Sequence, residues 1–564
     1  MNFKILLVII LFAALVLRLI GLNYGLPYFF VGDEQVLVNG ALKMAEIRTL
    51  FPVFYPEEFR PLYYPPLLPY IYLIFLSPIL LIRYFIGDFA NIIEFKNFLI
   101  LNPGFVWSAA RILNIFFALG SLFVTYLIAK KIFNEKVGLI AVLFLSLSFF
   151  HLQLSHFTRH WIPAVFFTHL IILEAFYLFY KPKRKYYIWS GILTGLAFGA
   201  SYIAAFGTWF VILGHFLSTG IVGGQGRNLK DKLKDVNLWI FLSISAALSS
   251  VFIILHPQEF FSIIIGEDGT VGAAKSITGL LTSFVYYFKI LIYQEPAILT
   301  FSLLGFVALA FASKKLFSMF LSFCAAYIFA LYFLFHDEPR YVFFLLPILS
   351  LAAAYGLNAL LEKMKAVIGE GAGRRYILVA VLLLIFLFSA LVSIKYTVLM
   401  TQKDTRIMAK QWIAEHIPER SKIATRLYNF KPLTPTKEAI AAQQSLDPDS
   451  LRTVERVLLT LDPANYPKPA FDVLNLHFIK PELLPKNLVA YLKDNNFKYF
   501  VIEYWNKNDI AAEDLEIISR ARFLQRFDAG LGNLSYNVNG NLESPVWVIF
   551  PMKRLGPVVE IYQL

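Results

Sequence analysis

Long apolar runs, each closed by charged or proline-rich punctuation, recur through the first 395 positions of this 564-residue chain. A helix needs about 20 mostly apolar residues to cross a bilayer. Runs at 3–22, 105–129, 137–154, 161–180, 237–255, 296–312, 316–335, 341–361 and 376–395 fit that length. The run 187–219 is long enough for two short helices meeting near Ser201-Tyr202. Together these predict about eleven crossings plus juxtamembrane helices. Residues 66–86 are apolar too, but they follow Tyr64-Pro65 and contain Pro66, Pro69 and Pro78. That proline density predicts a broken or surface-lying helix. The run 3–22 carries Arg18 and ends in Leu22-Asn23-Tyr24-Gly25 without a small-x-small cleavage pattern, which predicts a retained first helix.

After about residue 395 the pattern changes. Prolines and charges rise, and apolar residues fall into short runs. Asp404 to His416 has amphipathic helical spacing, and Lys422-Ile423-Ala424, Lys498 to Tyr504 and Val546 to Phe550 have the composition of buried strands. The expected division is therefore a transmembrane domain over 1–395 and a small α/β domain outside the membrane over 396–564.

Composition supports a membrane solvent. The chain is 58% hydrophobic and 17% aromatic, whereas soluble domains are about 45–50% apolar. The net charge is +13, but residues 396–564 hold 21 basic and 19 acidic residues, so the excess lies in the apolar part. Lys and Arg there fix topology, and nucleic-acid binding is not implied. The basic loops are Lys130 to Lys136, Lys181 to Lys185, Arg227 to Lys234, Lys314-Lys315 and Glu362 to Arg375. With the N-terminus inside, all five fall on the cytoplasmic side. The external face of the plasma membrane then collects Asp33-Glu34, Ser155 to His160, a long loop at about 256–295, His336 to Arg340 and the C-terminal domain. The one cysteine, Cys324, excludes an internal disulfide or a cysteine metal site.

That external face carries the candidate chemistry. Asp33 and Glu34 are either loop charges at a helix end or hold a general base. A hydroxyl or amine attacking a sugar anomeric carbon needs a carboxylate to take its proton while phosphate leaves from the opposite face. Arg340 and Tyr341 follow His336-Asp337-Glu338-Pro339 at a helix boundary. Arg340 either snorkels beside an acidic neighbour or holds a phosphate in its guanidinium fork. Ser155 to His160 is either a solvated turn or a second wall, with Arg159 on phosphate and His156 or His160 on sugar hydroxyls; His336 is a further substrate-binding candidate. A metal site from His156, His160 and Asp33 is conceivable, but loop residues without ligand spacing do not support it, so no metal or other cofactor is expected. Gly223-Gly224-Gln225-Gly226 lacks the lysine and strand context of a phosphate-cradling loop, which argues against a nucleotide donor.

In order and spacing these features resemble the polytopic lipid-phosphate-sugar glycosyltransferases of the GT-C fold, of protein O-mannosyltransferase and aminoarabinose transferase type. The resemblance rests on Asp33-Glu34, Tyr64-Pro65-Pro66-Leu67, Arg111 through Lys130-Lys131, Ser155 to Arg159, Gly191 to Gly199, and Arg340-Tyr341 leading to Pro347. In the tail it includes Asp404-Thr405-Arg406 to Trp412-Ile413, and Gly556-Pro557 to Ile561-Tyr562. It implies a catalytic acidic residue in the first external loop, here Asp33, and a dolichyl- or undecaprenyl-phosphate sugar donor. The implied acceptor is a protein, lipid or glycan. Where many such proteins carry an acidic residue near the position of His160, this chain has Arg159-His160-Trp161. Two other readings compete: a flippase for polyprenyl-linked lipids, and a non-catalytic glycan-assembly subunit. Ionisable residues near the middle of the bilayer, which a transporter would use, are few (His169 and Glu174 in one span, His215 in another), and this favours an enzyme.

Overall fold

The computed structural model describes residues 2–218, 229–258, 260–261, 277–334, 338–368, 373–427, 433–540 and 542–564. Two compact units emerge. One comprises Met1–Leu19, Asp33–Pro78 and Ala109–Ile394; the other comprises Ile20–Gly32, Ile79–Ser108 and Lys395–Leu564.

The first unit is helical. Among the described residues seven helical segments, some running on into the second unit, are long and apolar enough to cross a membrane, and two bent pairs raise this to nine. The chain is a polytopic membrane protein. Three of the eleven expected helices run short: Phe3–Leu19 and Arg184–Ala200 have 17 residues each and Thr208–Leu217 has 10, while Leu67–Ile86, not among the eleven, is added. The break near Ser201 is present, bridged by a 3-10 turn over Tyr202–Gly207. The expectation for 66–86 is corrected. Leu67–Ile86 is one continuous 20-residue helix with Pro78 inside it, and it is among the seven. Pro69 sits in its first turn, where a missing N–H costs nothing. The expected external loop at 256–295 is also corrected in part, because Ile277–Gln294 is helical. Glu295 then breaks the chain by 120° before Pro296–Ala312, and its carboxylate accepts from Ser148 Oγ at 2.5 Å and the Phe150 amide at 2.9 Å, capping Phe149–Ser155.

Small residues let two helix pairs approach closely. Gly191, Gly195 and Gly199 recur every fourth residue on Arg184–Ala200 and face Ile244, Leu248 and Phe252 of Val236–Leu255. Pro296–Ala312 and Leu346–Ile368 meet at Gly305 and Gly356, where an added Cβ would run into backbone. In lipid such close packing replaces the hydrophobic drive that joins helices in water.

The second unit contains a six-stranded mixed sheet. Its strands are β1 (Lys422–Arg426), β2 (Thr434–Pro435), β3 (Ala470–Asn475), β4 (Tyr499–Tyr504), β5 (Arg522–Phe527) and β6 (Val558–Gln563), in the order β2-β3-β1-β4-β6-β5. The β2-β3-β1-β4 part is parallel, and β6 pairs antiparallel with β4 and β5. Alternate residues feed two cores. Ala424, Phe500 and Ile502 pack with Leu488 and Ile517, while Ile423, Val501 and Val559 pack with Ile413 of helix Thr405–His416. Val546 to Phe550 corrects the expected strand: Val546–Ile549 is a 3-10 turn, set by Pro545 and anchored by buried Val546 and Ile549.

The start of this unit is tied to its first-loop segment. Asp404 caps Thr405–His416, pairs with Arg406 Nε at 2.8 Å and accepts from the Tyr24 hydroxyl at 2.6 Å. The Arg406 guanidinium lies 3.8 Å over the Phe30 ring. Gly556, at φ +116°, passes so close to Thr405 that a Cβ would sit 2.1 Å from its Oγ1.

The helix seam gives a direct test. Gly195→Leu would force a Cβ to within 2.4 Å of Leu248 Cβ, and overpacking costs about 1–3 kcal/mol. The purified protein in detergent should lose thermal stability accordingly. An unchanged midpoint would place these helices apart.

Candidate active site

The site is built on three stretches of the first unit: residues 33–34, residues 62–64 and the turn 155–161. Gly32-Asp33 turns the chain sharply. Asp33 adopts φ +64°, a left-handed conformation that Asp tolerates better than most side chains. The turn gives the two adjacent carboxylates different surroundings. Asp33 is 40% exposed, and Glu34 is fully buried.

Glu34 meets a matched partner. Arg111 donates from Nε to Glu34 Oε1 at 2.6 Å and from Nη2 to Oε2 at 2.8 Å, with both side chains out of solvent. The Arg111 guanidinium also lies 5.2 Å from the Phe157 ring centre. Thr158 Oγ1 donates to the Glu34 backbone carbonyl at 2.8 Å. Asn114, on the same helix as Arg111 (Gly104–Ile132), donates to the Phe157 carbonyl at 2.7 Å. These bonds pull the 155–160 turn inward, so residues 155 to 160 are all buried. The turn is a wall of the site, with little exposure to solvent.

Asp33 faces that wall. Arg159 Nη2 donates to Asp33 Oδ2 at 2.7 Å, and the Tyr63 hydroxyl donates to Oδ1 at 2.6 Å. Arg159 is 2% exposed, yet its Nε and Nη1 have no hydrogen-bond partner among the described residues. A buried guanidinium with donors left open is costly, and an anion with several acceptor oxygens would satisfy it.

The neighbouring side chains report one shared electrostatic environment. Burial pushes the Tyr64 phenol above its ordinary range, and Tyr64 also senses the charges of Arg159, Asp33, Arg340 and Tyr341. Burial, with the Arg159 and Arg340 cations, holds His160 well below the usual imidazole range, so it is neutral at pH 7. His160 packs against Tyr64 and Trp161, with ring centres 4.2 and 4.3 Å apart, and Trp161 lies 5.8 Å from Tyr341. Arg340 lies in the 3-10 segment Pro339–Leu345, 3.5 Å from Glu338.

Asp33, Arg159, His160, Arg340 and Tyr341 are thus gathered together. Glu34 stands behind them, tied up with Arg111. His156 is fully buried with Nδ1 2.9 Å from the Leu152 carbonyl, a bond within its own helical turn. His336 lies outside the described residues, as does the Gly223–Gly226 run. Among the described residues no group of three or more His, Cys, Asp or Glu side chains is arranged to hold a metal. Sequence reasoning missed Tyr63, the Arg111–Glu34 pairing and Trp161. The two tyrosines directly before Pro65-Pro66 were the available signal for Tyr63.

Two family models match. Residues 78–249 match dolichyl-phosphate-mannose-protein mannosyltransferase, and residues 275–431 match the Alg9-like mannosyltransferase family. No curated protein matches the chain. Among solved structures, ArnT from Cupriavidus metallidurans bound to undecaprenyl phosphate aligns at 13% identity and TM-score 0.46, over 98% of this chain and 97% of that one. The Archaeoglobus fulgidus oligosaccharyltransferase in complex with zinc and sulfate aligns at 12% identity and TM-score 0.48, over 88% and 68%. The S. cerevisiae protein O-mannosyltransferase complex bound to its sugar donor aligns at 19% identity and TM-score 0.33, over 46% and 34%.

The buried pair can be tested separately from chemistry. Arg111→Ala leaves Glu34 buried and unpaired, a loss of about 3–5 kcal/mol. Glu34→Ala combined with Arg111→Ala should cost less than the two single changes added together, as read by thermal unfolding of the purified variants. Strict additivity would mean that the two side chains do not interact.

Proposed function

We propose that this chain is a GT-C membrane glycosyltransferase that takes its sugar from a polyprenyl-phosphate donor. Asp33 is the general base. It removes the proton from an acceptor hydroxyl or amine as that group forms a bond to the anomeric carbon. The bond from the anomeric carbon to the phosphate oxygen breaks on the opposite face, so the configuration inverts. Polyprenyl phosphate departs with the electron pair, and Arg159 and Arg340 hold its charge. His160 and Tyr341 border the sugar, and neutral His160 is suited to a hydroxyl. The scheme routes no step through a metal. The reaction takes place on the external membrane face.

One observation carries this reading. Arg159 contacts Asp33 at 2.7 Å while two of its buried nitrogens lack partners among the described residues. A base and an anion holder on one guanidinium suit a reaction in which a proton is taken and a phosphate leaves at adjoining positions. Glu34 is assigned a supporting role, because its carboxylate is consumed by Arg111. A flippase has less support, since the ionisable cluster sits at helix ends.

The test is label transfer from radiolabelled polyprenyl-phosphate mannose into membrane glycolipid and protein fractions. Asp33→Asn keeps oxygen and size at this position, and general-base loss costs roughly 10²–10⁴-fold. Transfer should fall by that factor while polyprenyl-phosphate binding persists. Arg159→Ala should weaken binding of polyprenyl phosphate itself. Full transfer by Asp33→Asn would overturn the assignment of the base.

A further inference from the structure

We propose that Tyr63 is a positioning residue for Asp33, holding the base when donor phosphate draws on Arg159, so that donor binds before acceptor. The inference rests on the roles given above to Asp33 and Arg159.

Without donor, both Asp33 oxygens are engaged, Oδ1 by the Tyr63 hydroxyl and Oδ2 by Arg159. A carboxylate oxygen already bonded to a guanidinium is occupied and cannot at the same time meet an acceptor hydroxyl or amine. The Arg159 guanidinium has Nε and Nη1 open and buried, and a phosphate there would share its charge. The hold of Arg159 on Asp33 then weakens, and Oδ2 is freed for the acceptor once donor is in place. An acceptor arriving first meets an oxygen still occupied by Arg159.

Tyr63 is built to stay. Burial and the bond to Asp33 push its phenol above the ordinary range, so it remains a protonated donor. Its loop is stiffened by Pro61 on one side and Pro65-Pro66 on the other. Leu62 is 2% exposed, and its carbonyl bonds His256 Nε2. Burial holds the His256 imidazole low, so that ring is neutral and donates from Nε2. The Tyr63 ring also packs on Tyr64 at 4.7 Å. With Asp33 in a left-handed backbone conformation, a side chain that stays bonded to Oδ1 keeps the carboxylate in one rotamer while Arg159 changes partner.

Tyr63→Phe keeps the ring packing and removes only the donor. A hydrogen bond to a charged group corresponds to roughly a ten- to hundredfold effect. The variant should lose kcat for label transfer by about that factor, with the thermal midpoint, donor KM and polyprenyl-monophosphate Kd unchanged. Isotope trapping tests the order. Wild-type protein is preincubated with labelled donor, then chased with excess unlabelled donor together with the acceptor fraction, and label should be trapped in product. Wild-type kcat in Tyr63→Phe, or a fall in kcat matched by weakened polyprenyl-monophosphate binding, overturns the positioning role. Absence of trapping overturns the order. If Asp33→Asn is inactive while Tyr63→Phe is fully active, this inference fails and the general-base reading stands. No transfer by wild type would overturn both.

Discussion

A carboxylate shut away from water at a helix end of a membrane protein has to be neutralised where it stands, and Glu34 is. Its bidentate pairing with Arg111 satisfies both oxygens. The bond from Thr158 to the Glu34 carbonyl then ties a turn 124 positions away to the first loop. Such a pair earns little net stability, because desolvation offsets much of the attraction. Its value here is geometric. It fixes where the chain stands at residue 34, and so where residue 33 can point.

The next pair is built on the opposite principle. Asp33–Arg159 is one residue away in the first loop and one in the turn, but it is only half closed. Arg159 is as buried as Arg111, yet keeps open donors, and Asp33 keeps part of its surface. A structural pair uses all its bonding capacity, and a working pair withholds some for substrate. The contrast between two neighbouring ion pairs makes chemistry the better reading of Asp33. The aromatic wall of Tyr64, His160 and Trp161 adds shape and excludes water, which strengthens each remaining charge interaction.

Helix existence was legible because lipid forces long apolar runs, and the glycine spacing at 191, 195 and 199 was legible because it is periodic. Leu67–Ile86 was expected to break at its prolines, but Pro69 lies in the first turn, where no N–H is needed, and a membrane helix tolerates an interior proline such as Pro78. Val546 to Phe550 has strand composition, but Pro545 and its packing set a turn. Asp33, Arg159 and Arg340 could be named from their positions at helix ends. That Glu34 would turn away from Asp33 could not, since it depends on one left-handed residue and on Arg111 from another helix. Asp404-Thr405-Arg406 and Gly556-Pro557 stood out as motifs, and the structure shows them to be halves of one packing contact.

The central claim is that one guanidinium serves both the base and the donor phosphate. An experimental structure of the wild-type protein with bound polyprenyl monophosphate tests it most directly. The account predicts phosphate oxygens within hydrogen-bond distance of Arg159 Nε or Nη1, with Arg340 on the same phosphate and Asp33 still bonded to Tyr63. Phosphate seated away from Arg159, with the Asp33–Arg159 bond intact and its open nitrogens still unfilled, would contradict it.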